Sequence, residues 1–478
     1  MINIALFNTL ENSLDRVFNN TYTENGDKCF KSTGNLLLDI LFNTEYFTKE
    51  ISQCFIGEVD GFVKYKETYI GKKLRELLTK TNTIEENTDF YETFLAFAMF
   101  IRDPRYGLGR RDLGRYLLWL VNAFESDIVS CGRYDDLYKG AICNLKYAIF
   151  AYWEEVKENN ALAKKWAPRF NTANEAFAKY FCKVLNITEK EYRKAIKGDT
   201  VEKLLSCHED SLINFEHVPS LAMIKYYNRF QKDPRFAEYL EGVKKGEKRL
   251  NVATTTVYDI YKNRDKIDAD LFFDKLEKIK INCIPILDTS GSMYDGMDSI
   301  GKAMSIAYYL AKCSTYCNNH VVSFSSCPQL IKIHEEMPTT NRYGENFGTN
   351  SKFCRELNSM YTGDCSNTDF GAVIELLSKL DEFPEYFIVL SDMQFDYGSN
   401  QSKDKVMDMF AERGIKTKII WWNLNSREKS VPEQDSRGNI FMSGYSPMLL
   451  KYLEAGFNGQ EFLGKLLNEY TKAVGYTL

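Results

Sequence analysis

The stretch Ile284-Pro285-Ile286-Leu287-Asp288-Thr289-Ser290-Gly291-Ser292-Met293 decides how this chain is read. An apolar run, Ile281 to Leu287, stops at Asp288, and a helical pattern follows from about Ile300 to Cys313. An apolar run closed by a turn and then a helix is the pattern of a buried parallel strand entering a βαβ unit. In such sheets ligands sit beyond the carboxyl ends of the strands. Asp288, Ser290 and Ser292 stand there, offering a carboxylate and two hydroxyls on one side of a turn. Hard oxygen donors of this kind suit Mg²⁺ or another divalent cation. The same Ser-Gly-Ser also suits an ordinary turn that caps a helix.

Two later stretches bear on that choice. Gly363-Asp364-Cys365-Ser366-Asn367-Thr368-Asp369 is a polar loop entering a helical pattern, Phe370 to Leu380. Tyr386-Phe387-Ile388-Val389-Leu390 is a second apolar run, and it ends in Ser391-Asp392. Together these elements resemble the von Willebrand factor A fold and its metal-ion-dependent adhesion site. The resemblance assigns the metal to Asp288, Ser290, Ser292, Thr368 and Asp392. One departure is visible: the family's Thr-Asp-Gly is Ser391-Asp392-Met393 here, which changes the turn but not the ligand.

Outward from this centre, the pattern from about Lys275 alternates strand and helix. Strands are expected near 280–287, 319–325, 329–334, 385–391, 416–422 and 439–443. Helices are expected near 298–315, 369–380, 403–413, 446–455 and 459–474. This predicts an α/β doubly wound domain over 275–478 with a mostly parallel sheet. Residues 1–270 form the other domain. As far as about residue 265 they read as helical, with apolar residues at three- and four-residue spacing, as in Phe94, Phe97, Ala98 and Ile101. Short breaks such as Glu24-Asn25-Gly26-Asp27 and Gly107-Leu108-Gly109 suggest an α-helical repeat array, although no clean sequence repeat is present.

The 478 residues carry 61 Lys and Arg against 66 Asp and Glu, a net charge of −5. The chain as a whole is not built to bind polyanions, so any basic surface is local. Twelve cysteines are scattered without a C-x-x-C pair, and four histidines show no zinc spacing, which points to reduced thiols. The first residues lack the form of a secretory signal, and no uncharged apolar run is long enough for a membrane. These features predict a soluble, cytoplasmic protein with no membrane partner and no DNA partner.

Local basic clusters occur in the helical part. Arg102, Arg105, Arg110, Arg111 and Arg115 surround a Pro/Gly corner. Lys164, Lys165 and Arg169 form a second group, to which Arg193, Lys194 and Lys197 add. A third includes Lys225, Arg229, Arg235 and the run Lys244 to Arg249. Arginine forks suit phosphates, and Trp166, Tyr192, Tyr226 and Tyr227 are of a type that stacks on bases. Each cluster also reads as a solvated helix face paired with nearby carboxylates. No catalytic constellation is visible, and a hydrolase using Asp392 and Asp396 is the least favoured class.

Several phrases of the helical part complete a wider resemblance. They include Thr33-Gly34-Asn35-Leu36-Leu37-Leu38-Asp39, Arg102-Asp103 with Gly107 and Gly109, and Gly132-Arg133-Tyr134-Asp135-Asp136-Leu137. Lys165-Trp166-Ala167-Pro168-Arg169, Tyr192-Arg193 and Val218-Pro219-Ser220 follow. With Asp288–Met293 and Ser391–Asp396 they resemble domain of unknown function 2828, itself similar to Ro ribonucleoprotein autoantigens. That family joins a helical, HEAT-like TROVE domain to a von Willebrand A domain. The resemblance implies a non-enzymatic protein that binds small structured RNA through the basic residues of the first two clusters. The alternative is an adaptor without RNA, in which a protein partner's Asp or Glu completes the Mg²⁺ shell.

Overall fold

A computed structural model of the chain describes residues 2–9, 20–22, 28–59, 62–65, 68–103, 106–121, 145–172, 174–197, 201–206, 208–252, 255–294, 298–316, 318–324, 327–335, 351–361, 370–393, 408–424, 432–434, 438–444 and 447–475. Most of the described residues before Lys275 are helical, and a mixed sheet follows. Two short antiparallel hairpins interrupt the helices. One pairs β1 (Asn20–Tyr22) with β2 (Lys28–Phe30), and the other pairs β3 (Phe55–Val59) with β4 (Phe62–Tyr65). The expectation of an all-helical first half is corrected there. The Glu24–Asp27 break, which lies outside the described residues, falls in sequence between two paired strands.

The sheet contains β5 (Cys283–Asp288), β6 (His320–Phe324), β7 (Gln329–Lys332), β8 (Tyr386–Ser391), β9 (Lys418–Asn423), β10 (Glu433–Gln434) and β11 (Ile440–Ser443). Their order is β10-β11-β9-β8-β5-β6-β7. Pairings from β11 through β6 are parallel, and only the flanking β10 and β7 run antiparallel. All six residues of β5 and of β8 are buried. That is why these strands are near-continuous apolar runs rather than alternating ones. Pro285 sits in central β5, where a missing N–H usually costs a ladder bond; pairing with β6 begins only at Ile286.

Alternate residues share a face of the sheet. Ile284, Ile286, Val322, Phe324, Phe387, Val389, Ile419, Trp421 and Phe441 form one buried cluster, closed by Phe370, Val373, Ile374 and Leu377 of the helix Phe370–Leu377. Each such side chain contributes about 1.5–3 kcal/mol when fully buried. Leu287, Leu390 and Trp422, on the alternate positions, are equally buried. The helix Ser299–Cys313 packs on β5, β6 and β8.

By contacts the chain falls into two compact units. One comprises Met1–Thr9, Gly34–Val218 and Gly459–Leu478; the other comprises Leu10–Thr33 and Pro219–Asn458. The helices from Ser220 to Lys275 thus cluster with the sheet. Asp270, on the helix Ala269–Lys275, accepts the backbone N–H groups of Lys352 and Phe353 at 3.0 and 2.6 Å. Phe273 packs on Tyr308 and Phe353, with ring centroids 4.9 and 5.5 Å away.

In the first unit the helix Ile84–Arg102 is the central element. It is buried continuously from Thr93 to Arg102, as a helix enclosed on all sides must be. Thr83 caps its start, accepting Glu86 N–H at 3.1 Å. The C-terminal helix Gly459–Val474 packs on it, with Tyr470 edge-on to Phe100 and its hydroxyl donating to Asp103 at 3.3 Å.

Candidate metal centre and basic surface

The carboxyl ends of β5 and β8 meet because their register pairs Leu287 with Leu390. One step further along, Asp288 lies beside Ser391, whose hydroxyl donates to Asp288 Oδ2 at 2.5 Å. The other oxygen, Oδ1, accepts Ser290 N–H at 2.9 Å. Ser290 and Ser292 hydroxyls stand 3.2 Å apart on the 3₁₀ turn Gly291–Tyr294. Asp392 follows Ser391 and is fully buried, as Asp288 is. Its backbone N–H donates to Met293 Sδ at 3.1 Å, which ties the two loops together.

Burial pushes the Asp288 carboxyl up to about 6. The hydrogen bonds from Ser391 and Ser290 oppose the rise, and the charge of Asp392 adds to it. Two neighbouring buried carboxylates are costly without a compensating cation. Two carboxylates and two hydroxyls at one end of a sheet are the hard donor set that Mg²⁺ takes, with water filling the remaining positions. The residues therefore fit the cation. Among the described residues no group of three or more His, Cys, Asp or Glu could hold a metal; a cation here would need the serine hydroxyls as well. Thr368, the remaining expected ligand, lies outside the described residues.

The Ser391-Asp392-Met393 turn explains the sequence departure. Met393 has φ +64°, the left-handed region that favours glycine. It stays there because its side chain is buried in the sheet's core cluster and its N–H donates to Ser391 Oγ at 2.8 Å. Ser391 and Met293 are supporting residues that motif matching passed over. The register between β5 and β8 is the signal that finds Ser391.

The basic residues fare unevenly. Arg102 is fully buried at the end of the central helix, and Arg115 is 8 % exposed. Both are withdrawn as RNA contacts: a side chain enclosed by protein cannot reach a phosphate. Gly114 shows how closely Arg102 is packed, since a Cβ there would lie 2.6 Å from Arg102 Cβ. The Pro/Gly corner is a structural turn. Leu108, Gly109 and Arg110 N–H groups donate to Phe100, Asp103 and Ile101 carbonyls at 2.9 Å each, and Gly109 has φ +64°. Arg111 is exposed and pairs with Asp112 at 2.9 Å, and Arg110 is half-buried. Arg105 lies outside the described residues.

The second cluster does come together in space. Tyr192 donates its hydroxyl to Pro168 O at 2.9 Å, and the Arg193 guanidinium lies 4.8 Å from the Phe170 ring centre. This joins the segment Lys164–Phe170 to the helix Glu189–Ala195, whose Thr188/Glu191 capping box fixes its start. Arg169, Lys194 and Lys197 are exposed. Arg193 pairs with Glu189 at 2.6 Å, Lys165 with Glu202 at 3.3 Å, and Lys164 bonds Asn159. In the third region, Arg235 pairs with Asp233 and Lys244 with Asp268. Tyr192 and Tyr227 are buried, so neither offers a stacking face.

Comparison with known proteins divides the chain at the start of the sheet. Residues 159–282 match the family described as Domain of unknown function (DUF2828), and residues 282–470 match Domain of unknown function (DUF7788). The similarity to DUF2828 expected from the motifs is thus present, and it covers the basic segments 164–169 and 193–197. A curated relative, "Uncharacterized protein L728" of Acanthamoeba polyphaga mimivirus, is 24 % identical over 352 residues, 63 % of this chain. The chain spans 58 % of that relative's length. Among solved structures, the Deinococcus radiodurans RO (RSR) protein aligns over 93 % of this chain and 96 % of its own, with 11 % identity and a TM-score of 0.43.

Proposed function

We propose that this chain is a non-enzymatic, cytoplasmic RNA-binding protein of Ro-like organisation, in which TROVE-like helices precede a von Willebrand A domain with a Mg²⁺ site. The observation that carries the RNA reading is the convergence of Lys164–Phe170 with the helix Glu189–Ala195. Two basic segments more than twenty residues apart meet there and present Arg169, Lys194 and Lys197 to solvent. In a chain of net charge −5 this is a local basic surface, and phosphate neutralisation supplies most of the affinity of such a surface. Asp288, Ser290, Ser292 and Asp392, with Thr368, would hold the cation and leave coordination positions to water or a partner. The test is fluorescence anisotropy with a small structured RNA at low salt. Binding that weakens steadily with salt supports the reading, and absence of binding at low salt refutes it.

The buried pair Asp288 and Asp392 favours a second reading, that of a metal-dependent adaptor. There a protein partner's carboxylate completes the Mg²⁺ shell. Partner capture that is reversed by chelation, with no nucleic acid in the purified protein, would select it.

A further inference from the structure

Ser290 and Ser292 lie between Asp288, at the end of β5, and Asp298, which precedes the helix Ser299–Cys313. The start of this segment is held at the sheet: Asp288 Oδ1 accepts Ser290 N–H, and Met293 Sδ accepts Asp392 N–H. Its far end is held from elsewhere. The Tyr258 hydroxyl donates to Asp298 Oδ2 at 2.6 Å, from 40 residues away in sequence. Tyr258 belongs to the helix Val257–Asn263, whose start is fixed by a capping box of Thr256 and Asp259. That helix packs on the helix Ser299–Cys313, and so does the 3₁₀ turn Gly291–Tyr294. Tyr258 therefore precedes residue 282, where the two family matches meet, and every proposed metal residue follows it.

Asp298 has φ +54°, a left-handed conformation uncommon outside glycine. Strain of this kind persists only where the surroundings hold it. Here the Tyr258 hydroxyl holds the carboxylate, and Lys302 N–H holds the carbonyl at 3.1 Å. Gly301 makes the room: a Cβ there would lie 2.5 Å from Asp298 Oδ1 and 2.6 Å from Tyr261 Cε1. Tyr261 is set in turn by the Tyr258 ring, stacked at 6.3 Å, and by the Arg264 guanidinium, 4.3 Å from its ring centre. We infer that Tyr258 is a positioning residue for the metal centre, acting through Asp298 on the hydroxyls of Ser290 and Ser292. The inference rests on the Mg²⁺ reading of Asp288, Ser290, Ser292 and Asp392. Mg²⁺ demands near-octahedral ligand geometry. Asp298 stands six positions after Ser292, so a pin there limits where that hydroxyl can go. Ligands on a segment pinned at both ends lose less conformational freedom on binding than ligands on a segment pinned only at Asp288.

The test titrates Mg²⁺ into the intact chain by calorimetry and compares wild type with Tyr258→Phe, which keeps the ring and removes only the hydroxyl. Losing a direct partner of a metal ligand costs about tenfold or more in affinity, so losing this more distant bond should cost about fivefold. Asp298→Gly keeps the left-handed turn without the carboxylate and should weaken binding equally. The double variant should be no weaker than either single one, because both remove the same interaction. Asp298→Asn keeps an oxygen acceptor and tolerates the turn, so it should stay within about twofold of wild type. In metal-free protein, Tyr258→Phe should speed amide exchange over Ser290–Tyr294 and leave Tyr386–Ser391 unchanged. An affinity of Tyr258→Phe within about twofold of wild type, or unchanged exchange over Ser290–Tyr294, overturns the inference and leaves the metal centre standing. A loss in Asp298→Asn as large as in Asp298→Gly also overturns it, since the charge of Asp298 would then matter and not its bond to Tyr258. A wild type that takes up no Mg²⁺ removes the metal reading and the inference together.

Discussion

The carboxylates at the end of the sheet and the arginines at the helical corner are both buried, and burial means opposite things for them. Asp288 and Asp392 are neighbours, so burial brings two carboxylates together at the carboxyl ends of the strands, where ligands of such sheets sit. Such an arrangement has no structural benefit unless a cation joins it. Arg102 and Arg115 are buried inside the first unit, against Gly114 and beside Asp112. There burial removes them from any ligand and makes them part of the fold. A charged motif in sequence is therefore ambiguous until its surroundings are known.

The largest effect that separates the two regions is on metal. Replacing Asp288 by Ala should abolish Mg²⁺ binding at millimolar concentration in a calorimetric titration, whereas Arg102→Ala should leave it intact in whatever fraction remains folded. An unchanged titration for Asp288→Ala would mean that the buried pair is not a cation site.

Arg102→Ala should show in stability instead. Removing one member of a buried charged arrangement costs about 3–5 kcal/mol, which chemical denaturation would register. Exposed Arg111→Ala should stay within about 0.5 kcal/mol of the parent. Equal effects of the two substitutions would erase the distinction between fold and surface drawn at this corner.

A pH series sharpens the other side. The folded Asp288 carboxyl is raised to about 6 from an ordinary 3.8. The folded state therefore binds the proton more tightly than the unfolded chain. The resulting stability is fully present below about pH 4 and is lost as pH rises through about 6. In metal-free protein the loss attributable to this group is on the order of 3 kcal/mol. Asp288→Asn should flatten that part of the profile. Because a cation competes with the proton, millimolar Mg²⁺ should stabilise the protein at pH 7 and do little at pH 4. Equal stabilisation at both pH values would contradict a carboxylate-held metal.

The smallest expected effect concerns Met393. Glycine there removes left-handed strain of about 1–2 kcal/mol and also removes a buried side chain contributing about 1.5–3 kcal/mol. A net destabilisation of about 1 kcal/mol with unchanged Mg²⁺ affinity is expected from denaturation and titration of Met393→Gly. A large loss of affinity would show that the Met393 side chain itself shapes the site.

These contrasts follow what was legible in the chain. Six of the seven strands of the sheet were readable to within about two or three residues, because buried parallel strands are unbroken apolar runs that end in chemistry-bearing loops, whereas the two-residue edge strand β10 was missed. The pairing of Asp288 with Ser391 was not readable, since register depends on two segments about a hundred residues apart. The hairpins at Asn20–Phe30 and Phe55–Tyr65 were lost in a helical background, because three- to five-residue strands carry little periodicity. The helix Lys352–Ser359 was also missed. Helical spacing identified the helix Gly459–Val474 but not its place with the first unit, which rests on Tyr470 meeting Phe100 and Asp103. The corner arginines looked available because sequence shows charge and not enclosure.

The separation of roles between the two units is tested most directly by one salt titration of RNA binding. Wild type, the triple variant Arg169→Ala/Lys194→Ala/Lys197→Ala, and Asp288→Ala would be compared with one small structured RNA by fluorescence anisotropy. For single-stranded contacts, log affinity falls with log salt by about 0.7 per neutralised phosphate. The triple variant should bind more weakly, with a slope flatter by about two if all three residues meet phosphate. Asp288→Ala should match wild type in affinity and slope. Binding lost in Asp288→Ala but kept in the triple variant would contradict the account and move the RNA to the sheet.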